Sequence, residues 1–151
     1  MEKIIVEKMT LAHLDAVHTI EERSFSAPWS KASIRQDLTK NNQSHYYVAI
    51  CEEKVIGYAG MWHIINEGHI NNIAVDEPYR RKGVGAMLMD RIIQTAYLLD
   101  MIALTLEVRM GNDAAMGLYN KYGFKVQGIR KNYYSETKED AVIMWKTLLP
   151  A

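Results

Sequence analysis

The chain has 151 residues, 48% of them apolar, and its 18 basic residues balance 18 acidic ones. That length suits a single domain over residues 1–151, able to bury roughly two-thirds of its unfolded surface. A neutral chain has no general electrostatic reason to coat nucleic acid or an anionic membrane. The single cysteine, Cys51, excludes a disulfide framework or a thiolate metal cluster.

The opening MEKIIVEKM is too short and too charged for a signal peptide. No apolar run reaches membrane-spanning length, so a cytoplasmic location is expected. Ile4 to Lys8 reads as a first strand. Thr10 then caps an amphipathic helix that turns Leu11, Leu14, Val17, Ile20 and Phe25 inward, and Pro28-Trp29 breaks it. Ser30 caps a second, short helix through Leu38. Tyr46 to Cys51 and Val55 to Ile65 alternate as strands around the polar turn Glu52-Glu53-Lys54, which predicts a hairpin. Gly68 to Val75 is a further strand. The helix from Val84 to Leu99 buries Val84, Leu88, Ile92, Ala96 and Leu99 at helical spacing. Ala103 to Val108 is a strand, and Asn112 to Tyr122 a helix closed by Gly123. Phe124 to Arg130 and Ala141 to Leu148 finish as strands around a polar loop from Lys131 to Asp140. The order βααβββαβαββ describes a mixed α/β sandwich.

The most informative run is VDEPYRRKGVGA, Val75 to Ala86. Glycines where a strand turns into a helix let backbone N–H groups approach a ligand, and the positive end of the helix dipole lies at the same place. This is an anion site suited to a pyrophosphate, with charge added by Arg80, Arg81 and Lys82. The Walker loop needs Lys-Ser/Thr after its second glycine, which is absent here. The dinucleotide fingerprint needs a third glycine, where this chain has Leu88.

In the run LTLEVRMGNDAAMGLY, Leu104, Leu106 and Val108 face one side of a strand and Glu107 the other, with Ala103 and Thr105. A carboxylate is costly to bury, and desolvation makes it more basic, which suits a general base; the alternative is that this face is simply wet. Asn112 caps the following helix or reaches a ligand across its start. Tyr119 is a core tyrosine or a proton donor. His13, His18, His45 and His63 show no metal-ligand spacing, so no metal is expected.

In combination these features resemble the GNAT superfamily of acyl-CoA-dependent N-acyltransferases. Within it, FSAPW (Phe25 to Trp29), NIAVDEPYRRKGVG, LEVRMGNDAAMGLY, YGF, IRKNYY and EDAVIM are similar to the branch that acetylates the N-terminal alanine of a small-subunit ribosomal protein. Gly111, Asn66 and Ser135 depart from its usual serine, aspartate and proline. The resemblance implies a GNAT fold, an α/β architecture whose mixed, mostly antiparallel sheet of about seven strands is flanked by about four helices. It implies acetyl-CoA as co-substrate and direct transfer in a ternary complex, with Glu107 as general base and Tyr119 as general acid. Coenzyme contacts would come from Ile73, Ala74, Val75, Asn112 and the loop residues Arg80, Arg81, Lys82, Gly83, Val84, Gly85 and Ala86.

The implied partner is a protein N-terminal peptide, with no direct nucleic-acid or membrane contact, and the chain would be a monomer or weak homodimer. Trp29, Tyr133 and Tyr134 are the aromatic candidates for holding that peptide, with Glu67, Glu136, Glu139 and Asp140 as acidic company. The alternative is that Trp29 is core and the acids form a solvated loop. Glu67 and His69 are the fallback bases. An α-amine of pKa about 8 is roughly a tenth deprotonated at pH 7, against well under a thousandth for a lysine near 10.4, so a single carboxylate suits an N-terminal acceptor. Two rival readings are an acetyltransferase of a small amine (a polyamine or antibiotic) and a non-catalytic CoA-binding module. Glu107, Asn112 and Tyr119 together argue against the module. Cys51 lies outside every motif, so Cys51→Ala is expected to keep full steady-state activity; a dead variant would point to a covalent acyl-cysteine route.

Overall fold

The computed structural model describes residues 3–134 and 139–148. Seven strands form one sheet in the order β1-β2-β3-β4-β5-β7-β6. They are β1 (Ile4–Lys8), β2 (Ser44–Cys51), β3 (Lys54–Ile64), β4 (Glu67–Val75), β5 (Ala103–Arg109), β6 (Lys125–Tyr134) and β7 (Glu139–Thr147). Every neighbouring pair is antiparallel except β4–β5. The helices are α1 (Leu14–Ser24), α2 (Lys31–Lys40), α3 (Val84–Leu98) and α4 (Asp113–Lys121). Leu14, Val17 and Ile20 of α1 and Ile34 of α2 bury against one sheet face with Tyr46, Val48, Tyr58 and Ala74. Val84, Leu88, Ile92 and Ala96 of α3 and Tyr119 of α4 bury against the other, with Ile70, Leu104, Leu106 and Met144.

The expected element order holds, with local differences. The chain after Thr10 begins as a tight 3-10 turn, Leu11–His13, held by the Thr10 N–H donating to His13 Nδ1 at 2.9 Å. Three residues per turn rotate Leu11 off the apolar stripe, and it is 53% exposed. Phe25 is the extended C-cap of α1 rather than a helical residue, packed half-buried against the α1–α2 core. Leu99 lies past the last turn of α3 and is partly exposed. The predicted loop from Lys131 to Asp140 is largely strand: β6 runs to Tyr134 and β7 starts at Glu139, paired Tyr134 with Glu139. Ser135 and Glu136 lie outside the described residues.

A buried carboxylate ties the α1–α2 layer to the sheet. Glu21 is 1% exposed and accepts from the Trp29 N–H (2.9 Å), Asn72 Nδ2 (2.9 Å) and the Tyr58 hydroxyl. Asn72 reaches it because the β3–β4 register slips between Gly60 and Met61, which leaves Asn71 as an extra residue in β4. The bulge reverses the strand's alternation. Ile70 faces α3, whereas Ala74 beyond the bulge faces α1 and α2.

Gly57 on β3 pairs with Val75 of β4. A Cβ there would meet the Ala74 carbonyl oxygen at 2.9 Å, a backbone atom that cannot swing aside. Gly57→Ala is therefore expected to cost about 1–3 kcal/mol, roughly 2–12 °C in melting temperature for a chain of this size. Differential scanning calorimetry measures it.

Candidate active site

β4 and β5 pair over only three residues, Glu67–His69 against Ala103–Thr105. Beyond that they part, and β4 runs on to Val75 while β5 runs on to Arg109. The edges of Ile73, Ala74 and Val75 that face β5 have no strand beside them in the sheet. Backbone N–H and C=O groups need partners, so this opening suits a ligand carrying its own amides.

At the carboxyl end of β4 the chain enters the glycine loop, the place where α/β sheets characteristically bind ligands. Arg81 (φ 64°) and Gly83 (φ 80°) are both left-handed. A Cβ on Gly83 would meet nothing within 4 Å, so the backbone conformation, not space, calls for glycine there. The first helical bond of α3, Met87 N–H to Gly83 O at 3.1 Å, leaves the amides of Val84, Gly85 and Ala86 outside the helix ladder. Arg80 donates from Nε to the Val75 carbonyl at 2.9 Å, fastening the loop to the strand end. The Lys82 ammonium lies 5.6 Å from the Tyr79 ring centroid. The Tyr122 hydroxyl bridges the end of α4 to α3, donating to Asp90 Oδ1 (2.6 Å) with Ala86 O also within reach at 3.0 Å. The set fits a pyrophosphate-bearing coenzyme.

On β5, Leu104, Leu106 and Val108 are buried toward α3, while Ala103, Thr105, Glu107 and Arg109 alternate onto the other face. The Glu107 side chain is 15% exposed, with His69 Nε2 at 3.9 Å and Arg130 Nη2 at 3.8 Å from its Oε1. Hydrogen bonding to Glu107, with burial, pushes the Tyr133 phenol up to about 12. Thus Glu107, His69, Arg130 and Tyr133 converge. Glu67 shares this face but lies level with Ala103, four residues along the sheet from Glu107, or roughly 13 Å. His69 continues through an edge contact to Trp62 (6.5 Å), and Trp62 to Trp29 (5.8 Å). Trp29 is half-buried, at once a border of the α1–α2 core and one end of an aromatic row leading to Glu107. Two open cavities of about 520 and 440 Å³ flank α2 beside Trp62 and Trp29.

Tyr119 is positioned by the end of its helix. Gly123 (φ 86°) lets the Phe124 N–H return to the Tyr119 carbonyl at 3.1 Å, and the two rings pack at 5.9 Å. Burial, then the neighbouring Tyr134, pushes the Tyr119 phenol up to about 12, so it keeps its proton at neutral pH. Asn112 caps α4, its Oδ1 accepting from the Ala115 N–H at 3.2 Å. That leaves its amide nitrogen for any coenzyme contact.

Two of the acids expected to accompany a cationic acceptor have partners within the chain. Glu139 pairs with Arg109 at 2.8 Å, and Asp140 accepts from the Asn132 N–H at 2.9 Å, where Asn132 is left-handed. Arg109, Arg130 and Trp62 were not among the sequence candidates. The alternation that placed Glu107 on the open face also places Arg109 there, two residues on.

A parted strand pair that ends at a glycine loop and presents a carboxylate on its open face is an arrangement suited to acyl transfer. The sequence pattern of the Acetyltransferase (GNAT) family matches residues 14–124. The chain is 40% identical over 146 residues, 97% of each chain, to a Bacillus subtilis (strain 168) protein provisionally named a [ribosomal protein bS18]-alanine N-acetyltransferase. It is 33% identical over 141 residues, 90% of this chain and 92% of the other, to the [ribosomal protein bS18]-alanine N-acetyltransferase of Salmonella typhimurium. The crystal structure of the ribosomal-protein-S18-alanine N-acetyltransferase from Escherichia coli matches with a TM-score of 0.90 at 30% identity, over 99% of this chain and 96% of that one. The chain belongs to the GNAT family of acetyltransferases, whose acyl donor is acetyl-CoA.

Gly83→Ala would force a Cβ into the left-handed region at about 1–2 kcal/mol. A roughly five- to thirtyfold weaker CoA affinity by isothermal titration is expected, since the same conformation aims the loop amides. Unchanged affinity would show that these amides do not bind the coenzyme.

Proposed function

We propose that this chain transfers the acetyl group of acetyl-CoA to the N-terminal α-amine of a protein, with the N-terminal alanine of a ribosomal protein as acceptor. The observation that carries the reading is the position of Glu107, on the open face beyond the point where β4 and β5 part and walled by His69, Arg130 and Tyr133. The acceptor named for the Bacillus, Salmonella and Escherichia coli relatives supports it.

Glu107 accepts a proton, through a water, from the incoming ammonium. Acetyl-CoA supplies the thioester carbonyl for the amine to attack and the thiol that leaves. Backbone N–H groups beside Val75 polarise that carbonyl, and the loop amides of Val84 to Ala86 hold the pyrophosphate. Tyr119, whose phenol stays protonated, donates to the developing thiolate. Tyr133, Tyr134 and Trp29 flank the acceptor peptide.

The test is a steady-state acetyl-CoA assay with a short peptide bearing a free N-terminal Ala, beside an N-blocked lysine peptide and spermidine. Acetylation of the free N-terminus alone is expected, with kcat/KM rising as pH approaches the α-amine pKa of about 8. Because the Tyr119 phenol is raised to about 12, it contributes no alkaline loss below about pH 11. Glu107→Gln should lower kcat about 10²–10⁴-fold, and Tyr119→Phe should lower kcat while leaving the peptide KM unchanged. Turnover of spermidine but not of the peptide would move the acceptor to small amines.

A further inference from the structure

Two residues beyond Glu107, on the same face of β5, Arg109 gathers contacts from both flanks of the acceptor face. Its Nη2 donates to Ser26 Oγ at 3.1 Å, in the segment between α1 and α2 that leads to Trp29. Its Nη1 pairs with Glu139 Oε1 at 2.8 Å, at the start of β7. Its guanidinium carbon lies over the Tyr134 ring, 3.9 Å from the centroid, at the end of β6. Tyr134 and Glu139 face each other in the β6–β7 ladder, and the Tyr133 and Tyr134 rings touch edge to face at 5.1 Å.

We propose that Arg109 is a positioning residue for the acceptor: it clamps the Ser26–Trp29 segment to the β6–β7 hairpin and so sets the width of the groove above Glu107. Only a planar, forked cation can do this, because the three partners lie in different directions. One edge of the guanidinium serves Ser26, the other serves Glu139, and the face covers Tyr134. Arg109 and Glu107 project from one strand about 7 Å apart, so the clamp fixes both groove walls relative to the carboxylate itself. The pairing also offsets the charge of Glu139, so that residue offers less attraction to a cationic lysine side chain.

This rests on the peptide-acceptor reading, and two readouts keep the two apart. With the free-Ala peptide, Arg109→Gln should raise the peptide KM at least tenfold while the KM for acetyl-CoA stays within twofold. Arg109→Lys, which keeps a charge for Glu139, should still raise the peptide KM severalfold. Ser26→Ala should raise it less, and the Ser26→Ala, Arg109→Gln double variant should be no worse than Arg109→Gln alone, since both remove one contact. Amide hydrogen exchange, which needs no acceptor, should show faster exchange in Arg109→Gln both in residues 25–29 and in the β6–β7 ends, with α3 unchanged. An unchanged peptide KM, full rescue by lysine, additive effects, or loosening of one wall only would overturn the clamp. If the wild-type enzyme acetylates no peptide, the acceptor reading fails, and exchange alone decides whether the two walls are coupled.

Discussion

The short pairing of β4 with β5 is the constraint on which the rest of the structure depends. Three residue pairs hold the two strands parallel, and past His69 and Thr105 neither has the other for a partner. A sheet interior does not leave strand edges unsatisfied without reason. Everything of chemical interest is arranged around that opening: the loop amides at one lip, Glu107 on one face, and Tyr119 on the helix that follows β5. The family's acyl donor has a pantetheine arm with two amides, which an open strand edge can pair. One departure from regular pairing thus opens a slot suited to such an arm and sets a carboxylate beside it.

The opening is kept in shape by polar anchors that reach across layers. Glu21 gathers donors from the α1–α2 segment, β3 and β4 into one buried carboxylate. Burial raises its pKa, while the Trp29 N–H and Asn72 pull the other way. Arg23 reaches Asp76 at 3.3 Å, tying α1 to the start of the glycine loop. Tyr122 links α4 to α3, and burial with the nearby Asp90 pushes its phenol up to about 12. The contacts of Glu21, Arg23 and Tyr122 cross between elements that hydrophobic packing alone would allow to slide, and each ends on a segment bordering the site.

Much of this was legible in the sequence because it rests on local periodicity. Alternation along Ala103 to Val108 placed Glu107 on the open face, and the strand-then-glycine-then-helix pattern located the turn from β4 into α3. Capping chemistry placed the ends of α2 and α4 at Ser30, Asn112 and Gly123. What escaped depends on partners distant in sequence. The extra residue at Asn71 exists only relative to the register of β3, so a strand read by itself shows no bulge. Glu21 looks like any charged residue of an amphipathic helix until Tyr58 and Asn72 are brought to it. Glu139 reads from the sequence either as company for a cationic acceptor or as part of a solvated loop, because Arg109, some thirty residues earlier, is what engages it. Leu11 and Leu99 were misplaced at helix ends, where a tight first turn and a lost last turn break the period.

The row of rings running from Trp29 through Trp62 to His69 has an optical consequence. Of the chain's three tryptophans, Trp29 and Trp62 pack together along this row, and Trp145 stands on β7 opposite Thr105. The Trp62 indole N–H is held by Asp37 at 2.9 Å, which fixes its orientation. Indole emission responds to changes in nearby polarity and water. The protein therefore carries a native fluorophore pair joined through His69 to the surroundings of Glu107, so a change in polarity there can be followed in real time without attaching a dye.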